Sequence, residues 1–125
     1  MAYKTTDQII SVVFSLLRLL PVNRYSITKP TKAVDTEYIV INSLPINADV
    51  MQKCYVNVNY HVKDLANGTP DQTKLQSGAE SVLNILSKVS TATYLIDFES
   101  QETFREEALK EHFSNLRFSF KNINT

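Results

Sequence analysis

Cysteine occurs once in this chain, at position 54, so no internal disulfide can form and nothing in the sequence asks for an oxidising compartment. A reducing cytosol is the simpler expectation. Glycine is nearly as scarce. Gly68 and Gly78 stand alone, which removes the glycine-rich loops that cradle phosphates and the G-x-S-x-G turn that presents a nucleophilic serine. With four prolines and no internal repeat, the chain also fails the signatures of collagen-like, low-complexity and solenoid proteins. The apolar run from Ile9 to Leu20 is too short to span a bilayer, and Asp7 ahead of it with Pro21 behind it makes a poor secretion signal. A surplus of charge is missing too. Thirteen lysines and arginines balance thirteen aspartates and glutamates, so no overall field recruits nucleic acid or an anionic membrane, and neither is expected as a partner.

The sequence is instead rich in patterned apolar residues. At 125 residues, 43% of them hydrophobic, the chain suits one compact domain spanning 1–125, because this length buries roughly two thirds of its unfolded surface. The stretch "KCYVNVNYHVKDL" alternates strictly. Cys54, Val56, Val58, Tyr60 and Val62 fall on one face of an extended strand, and Tyr55, Asn57, Asn59, His61 and Lys63 on the other. "TTDQIISVVFSLLRLLP" carries the Thr5/Gln8 spacing of a capping box and apolar residues at helical intervals, so a helix is expected up to Pro21. Its second face (Val12, Phe14, Leu19) is nearly apolar as well, which fits burial inside its own domain or partly against a neighbour. A polar, proline-containing arm follows from Val22, then an apolar strand "YIVINSL" ended by Pro45, and the loop "PINADVMQ". A second helix is expected with Thr69 as N-cap, Pro70 in its first position and a stripe running from Leu75 to Val89. "TYLIDFES" and "SNLRFSFKNI" read as strands with one wet face. The expected architecture is therefore α+β: a single domain in the order α-β-β-α-β-β, with a roughly four-stranded, mainly antiparallel sheet and the helices packed on one face.

Chemistry-bearing constellations are declined one by one. Cys54, His61 and His112 lack metal-ligand spacing, and Cys54 and His61 point to opposite faces of one strand, so no metal, catalytic or cofactor-binding residue is expected. Cys54 reads as a small core hydrophobe and His112 as a surface residue at the foot of a hairpin. A small enzyme whose active site lacks a local signature, or a cellular binding module, is the alternative of another class. The uncharged outer row of Tyr55, Asn57, Asn59 and His61 suits either a wet protein interface or plain solvent. Residues 99–111 hold five glutamates against Arg105 and Lys110. They read as a short helix or a long hairpin tip projecting beyond the sheet, with Phe104, Ala108 and Leu109 clustered if helical. Charge is also split along the chain: residues 1–63 hold seven basic against four acidic residues, and residues 64–125 six against nine.

Taken in order, the N-terminal helix, "NRYSITKP", "EYIVINSLPIN", "KCYVNVNYHVKDL", the second helix and "EHFSNLRFSFKNI" resemble the small tail-terminator, tail-completion and neck proteins of tailed bacteriophages, including forms from phages of Bacteroidetes hosts. Thr36 and Glu37 stand where many relatives have a proline before the first strand. The resemblance implies a structural, non-enzymatic virion protein in the phage neck or tail, assembled in the host cytoplasm. It would form a homo-oligomeric ring, a hexamer in preference to a dodecamer, that terminates the tail tube or joins tail to head beside tail-tube, connector or neck proteins. A head-proximal adaptor ring of a short-tailed phage is the alternative. Contacts in such a ring are expected at Phe104, Arg105, Glu106, Glu107 and Leu109, at Tyr55, Asn57, Asn59 and His61, and at Lys29 and Lys32.

Overall fold

The structure, a computed structural model, describes residues 4–44 and 52–123. The loop expected from Pro45 and the strand end assigned to that proline lie outside the described residues. Helix α1 spans Thr6–Leu16, followed by β1 (Asn23–Ser26), β2 (Glu37–Ser43), β3 (Gln52–Lys63), α2 (Gln72–Leu86), β4 (Lys88–Ser90), β5 (Tyr94–Glu106) and β6 (Glu111–Asn122), with a 3₁₀ turn at Glu107–Leu109. The strands form one sheet in the order β1-β2-β3-β6-β5-β4. All neighbours are antiparallel except β1 and β2, which run parallel.

This corrects the expected fold class. The protein is mostly sheet, six strands in a mixed half-barrel rather than about four, and its order is α-β-β-β-α-β-β-β. Two short edge strands account for the difference. The supposed arm contains β1, whose "NRYS" lacks an apolar run because only one of its edges is paired and Asn23 and Ser26 stay exposed. The end of the supposed second helix contains β4, where Val89 joins Ile96 of β5 rather than the helical stripe.

Both helix boundaries follow from local competition. At α1 the capping box forms as anticipated, with Gln8 N donating to Thr5 Oγ1 and Thr5 N to Gln8 Oε1. The helix nevertheless stops at Leu16, short of Pro21. The chain tightens into turns in which Arg18 N reaches Ser15 O and Leu20 N reaches Leu17 O, and a residue before proline is disfavoured in the helical region. At α2 the N-cap is Asp71, whose carboxylate accepts from Lys74 N at 3.2 Å. Asp is the stronger cap, and Thr69 is already bound to Asn67 through both its backbone N–H and its hydroxyl.

One face of the sheet carries the core. Ile39, Ile41, Val56, Val58, Leu116 and Phe118 are covered by Ile9, Val13 and Leu17 from the α1 side and by Leu75, Val82 and Leu86 of α2, all of them buried in one cluster. Each aliphatic side chain so covered stabilises the fold by about 1.5–3 kcal/mol. Tyr60 belongs to the cluster but keeps its hydroxyl on Glu37 Oε1 at 3.0 Å; burial, and after it this hydrogen bond, push that hydroxyl above the ordinary tyrosine range. Cys54 is buried on the same face and its thiol is pushed up by burial, the opposite of what a reactive or metal-binding thiolate needs.

Candidate assembly face

The opposite face of the sheet is where the sequence-derived interface residues of β3 lie, and cross-strand register decides what they meet. Tyr38, His61, Phe113 and Phe104 occupy one level across β2, β3, β6 and β5. Their rings form a continuous row. His61 is stacked between Tyr38, centroids 4.5 Å apart, and Phe113 at 4.7 Å, and Phe113 stacks in turn on Phe104 at 5.4 Å. Tyr25 extends the row onto β1 with an edge contact to Tyr38 at 6.0 Å, and Lys29 caps it, its Nζ 4.2 Å from the Tyr38 ring centre. Beneath the row lies the buried carboxylate of Glu111, which accepts from the Tyr38 hydroxyl at 2.6 Å. Burial first, then this hydrogen bond, push the Tyr38 hydroxyl above its usual range.

Next to the aromatic row runs a row of amides. Asn115 Nδ2 donates to Asn59 Oδ1 at 2.6 Å, and Asn57 donates to Asn42 Oδ1 at 3.0 Å while accepting from Arg117 Nε at 3.2 Å. The asparagines that suit a wet interface thus satisfy one another across strands, and Asn57 is itself buried. What this face offers a partner is a preorganised platform of ring faces, amides and one guanidinium, with the Glu111 carboxylate set among the rings. Tyr55 stands at its far end, with Lys53 Nζ 5.2 Å from its ring centre.

The charge-dense segment is not a helix. β5 continues through it to Glu106, turns through Glu107–Leu109 and returns from Glu111, with Lys110 in the left-handed region at φ 53°. Phe104 therefore points onto the aromatic row and does not cluster with Ala108 and Leu109. Nor does the tip project far. β3 reaches the same end of the sheet, Lys63 pairing with Glu111 and Asp64 N donating to Lys110 O at 2.9 Å. Leu109 is 54% exposed and Phe104 41%. Arg105 faces the side of His112, which is tied to Asp64 through Nδ1 at 2.6 Å. Lys32 is exposed in the loop after β1. The structure thus unites Lys29, His61 and Phe104 in one row, with Asn57 and Asn59 beside it, but separates them from Arg105, Glu107 and Leu109.

Tyr38, Phe113, Glu111, Asn42, Asn115 and Arg117 were not anticipated as part of this face. Their signal was parity: each alternates with core residues such as Ile39, Ile41, Leu116 and Phe118 in its own strand.

His61 gives the face a measurable pH signature. Burial pulls its pKa from the ordinary 6.5 down to about 4, Glu106 pulling it up and Lys29 down more weakly. Glu111 Oε1 is 3.3 Å from Nδ1, yet the geometry is not that of a hydrogen bond and Nδ1 has no partner. Below pH 6.5 the unfolded chain takes up a proton that the folded one refuses until about pH 4. The contribution of His61 to stability is thus complete above pH 6.5 and is lost as pH falls towards 4, by about 3 kcal/mol in all. His61→Phe, which keeps the stacking, is expected to lose less stability than wild type between pH 6.5 and 4.5 in urea titrations. Equal slopes for the two proteins would show that His61 is not held neutral.

No family model matches the chain, and no curated protein matches it in sequence. Solved structures do match, nineteen chains among them. One is a chain described as the virion of a native gene transfer agent particle, with a TM-score of 0.66 over 97% of this chain and 98% of that one, at 14% identity. The likeness is one of fold. It runs over nearly the whole of both chains, so it takes in the edge strands and the long β5–β6 hairpin as well as the core.

Proposed function

We propose that the protein is a structural component of a phage-type virion, assembling into a homo-oligomeric ring that terminates a tail tube or joins tail to head. The observation that carries this reading is the nearly complete fold match to a chain of a gene transfer agent virion. The geometry supports it in a second way, because the aromatic and amide platform and the hairpin offer extended recognition surfaces. A hexamer is the preferred stoichiometry and a dodecamer is compatible. The neighbours above and below would be tail-tube, connector or neck proteins, met in the host cytoplasm during assembly and retained in the virion. Within this reading the contacts are assigned to Phe104, Arg105, Glu106, Glu107 and Leu109 of the hairpin, to Tyr55, Asn57, Asn59 and His61 of the platform, and to Lys29 and Lys32.

Native mass measurement with particle imaging tests the proposal. Closed rings of one stoichiometry are the expected result, alone or on mixing with a tail-tube or connector protein. A chain that stays monomeric at every concentration, with and without those proteins, sinks it. A charge-reversed hairpin checks the contact residues. Phe104→Ser combined with Glu106→Lys and Glu107→Lys should melt below wild type, because it removes the Phe104–Phe113 stacking and reverses the half-buried charge at 106, yet still unfold cooperatively with unchanged circular dichroism at room temperature. Assembly should weaken, and more so at low salt, where charge effects are least screened. Wild-type assembly by this variant would remove the hairpin from the interface.

A further inference from the structure

The two ends of the sheet are unlike, and their levels match. At one end β4 covers β5 only at Leu95, Ile96 and Asp97, and the last backbone bond on that side runs from Phe98 N to Ser87 O. Beyond it, residues 99–106 of β5 have no strand on their outer side among the described residues. Residues 99–105 are exposed and Glu106 half-buried, and the stretch contains neither proline nor lysine, the residues that commonly blunt a free edge. At the other end β1 pairs only with β2; among the described residues no other strand reaches its far side, where the backbone bond is the local one from Thr28 N to Ser26 O at 2.8 Å.

Following the register across the sheet, Asn23 of β1 lies level with Tyr38, His61, Phe113 and Phe104, and Ser26 lies level with Ile41, Val58, Leu116 and Gln101. The short strand β1 therefore sits at the height of the uncovered stretch 101–104, while β4 sits where β1 is absent. The two ends form a step and its counterpart. β1 also runs antiparallel to β5 through the intervening strands, so a copy related by rotation about the strand direction would present its β1 to β5 in antiparallel register, with no translation along the strands. A heterologous contact of that kind closes into a ring instead of climbing into a filament.

We infer that subunits join by backbone pairing of β1 of one copy with the 101–104 stretch of β5 in the next, making the sheet continuous from subunit to subunit; this rests on the ring reading above. Charge favours that occupant. The free stretch of β5 carries Glu99, Glu102 and Glu106 against Arg105, whereas β1 and the loop after it carry Arg24, Lys29 and Lys32 against Asp35. The same step brings the turn ahead of the neighbour's β1, where Leu19 is 82% exposed, alongside a groove of about 710 Å³ between α2 and β5, lined by Leu75, Ala79, Leu83 and Phe98. Main-chain pairing supplies the attachment, and this groove supplies selectivity.

Cysteine pairs test the register directly. In a Cys54→Ala background, Ser26→Cys with Gln101→Cys places two exposed residues opposite each other on the same face, within disulfide reach across an antiparallel pair. Mild oxidation is expected to give a ladder of covalent multimers ending at the ring size, whereas Ser26→Cys with Thr103→Cys, out of register, stays unlinked. Each single-cysteine variant should yield dimers at most, and unchanged circular dichroism certifies folding. Rings that form without linkage, or link only in the out-of-register pair, overturn the strand pairing and leave the ring reading standing. Covalent chains that never close uphold the pairing and overturn the ring. Absence of both rings and links overturns both.

Discussion

Val58→Asp is expected to leave the protein unfolded at room temperature. Val58 is fully buried in the middle of β3, level with Ile41 on one side and Leu116 on the other, with both helices above it. A carboxylate there has no cation or donor to meet, and an unpaired buried charge costs several kcal/mol against a total stability of about 5–15 kcal/mol. Position, not charge as such, should decide the outcome. Asn57→Asp places the same group one residue away on the other face, where Arg117 Nε already lies 3.2 Å from the Asn57 oxygen, and should remain folded. Val58→Ala, which only leaves a small cavity, should cost about 2 kcal/mol. Circular dichroism melts of the three variants check the order. Cooperative melting of Val58→Asp within a few degrees of wild type would falsify the placement of β3 in the core.

Gly78→Val should produce the next largest loss. Gly78 is buried in α2, and a Cβ at that position would overlap the Tyr60 ring at Cδ1, Cε1 and Cζ. The helix lies directly on the ring of the strand below, which only a residue without a side chain permits. Tyr60 can retreat towards a small neighbouring cavity of about 80 Å³ beside Leu20 and Val22, but its hydroxyl would then leave Glu37. Overpacking of this kind costs about 1–3 kcal/mol, and a β-branched residue adds a helix-propensity penalty of a few tenths. The melting temperature should fall by roughly 10 °C for a chain of this size. A second substitution, Tyr60→Leu, should return part of that loss, since the two residues are in contact and their effects are not additive. Should the double variant be no better than the sum of the singles, the ring is not what Gly78 accommodates.

The candidate face was half legible in the chain. Asn57, Asn59 and His61 could be placed on one side of β3 by alternation alone, and Phe104 stood out as an aromatic amid charge. That His61 would be stacked between Tyr38 and Phe113, or that Asn59 would meet Asn115, depends on which residue of one strand faces which residue of another. Those partners are 23, 52 and 56 residues away in sequence. Of the two readings offered for the charged segment, a short helix or a long hairpin tip, the structure has the hairpin; the helical reading arose because Phe104 and Ala108, four residues apart, and Leu109 beside them fit one helix face locally. Pairing with β6 along nearly its whole length made it strand.

What the sequence determined by itself is what a single element can express. The alternation of β3 gave its dry face of Cys54, Val56, Val58, Tyr60 and Val62, all buried, because a strand's side chains alternate whatever its neighbours are. Thr5 and Gln8 determined where α1 starts, since the capping box is closed within one turn. Tertiary structure decided the rest. β1 and β4 are strands because a neighbour's free edge accepts their backbone, an interaction that side-chain pattern hardly encodes. The irregularity between Phe98 and Ser100 shifts the register of β5: Phe98 stays on the helix side with Ile96, and beyond the shift Phe104 falls on the aromatic row. A one-residue shift exchanges the two faces of a strand, and only the partner strand shows where that shift falls.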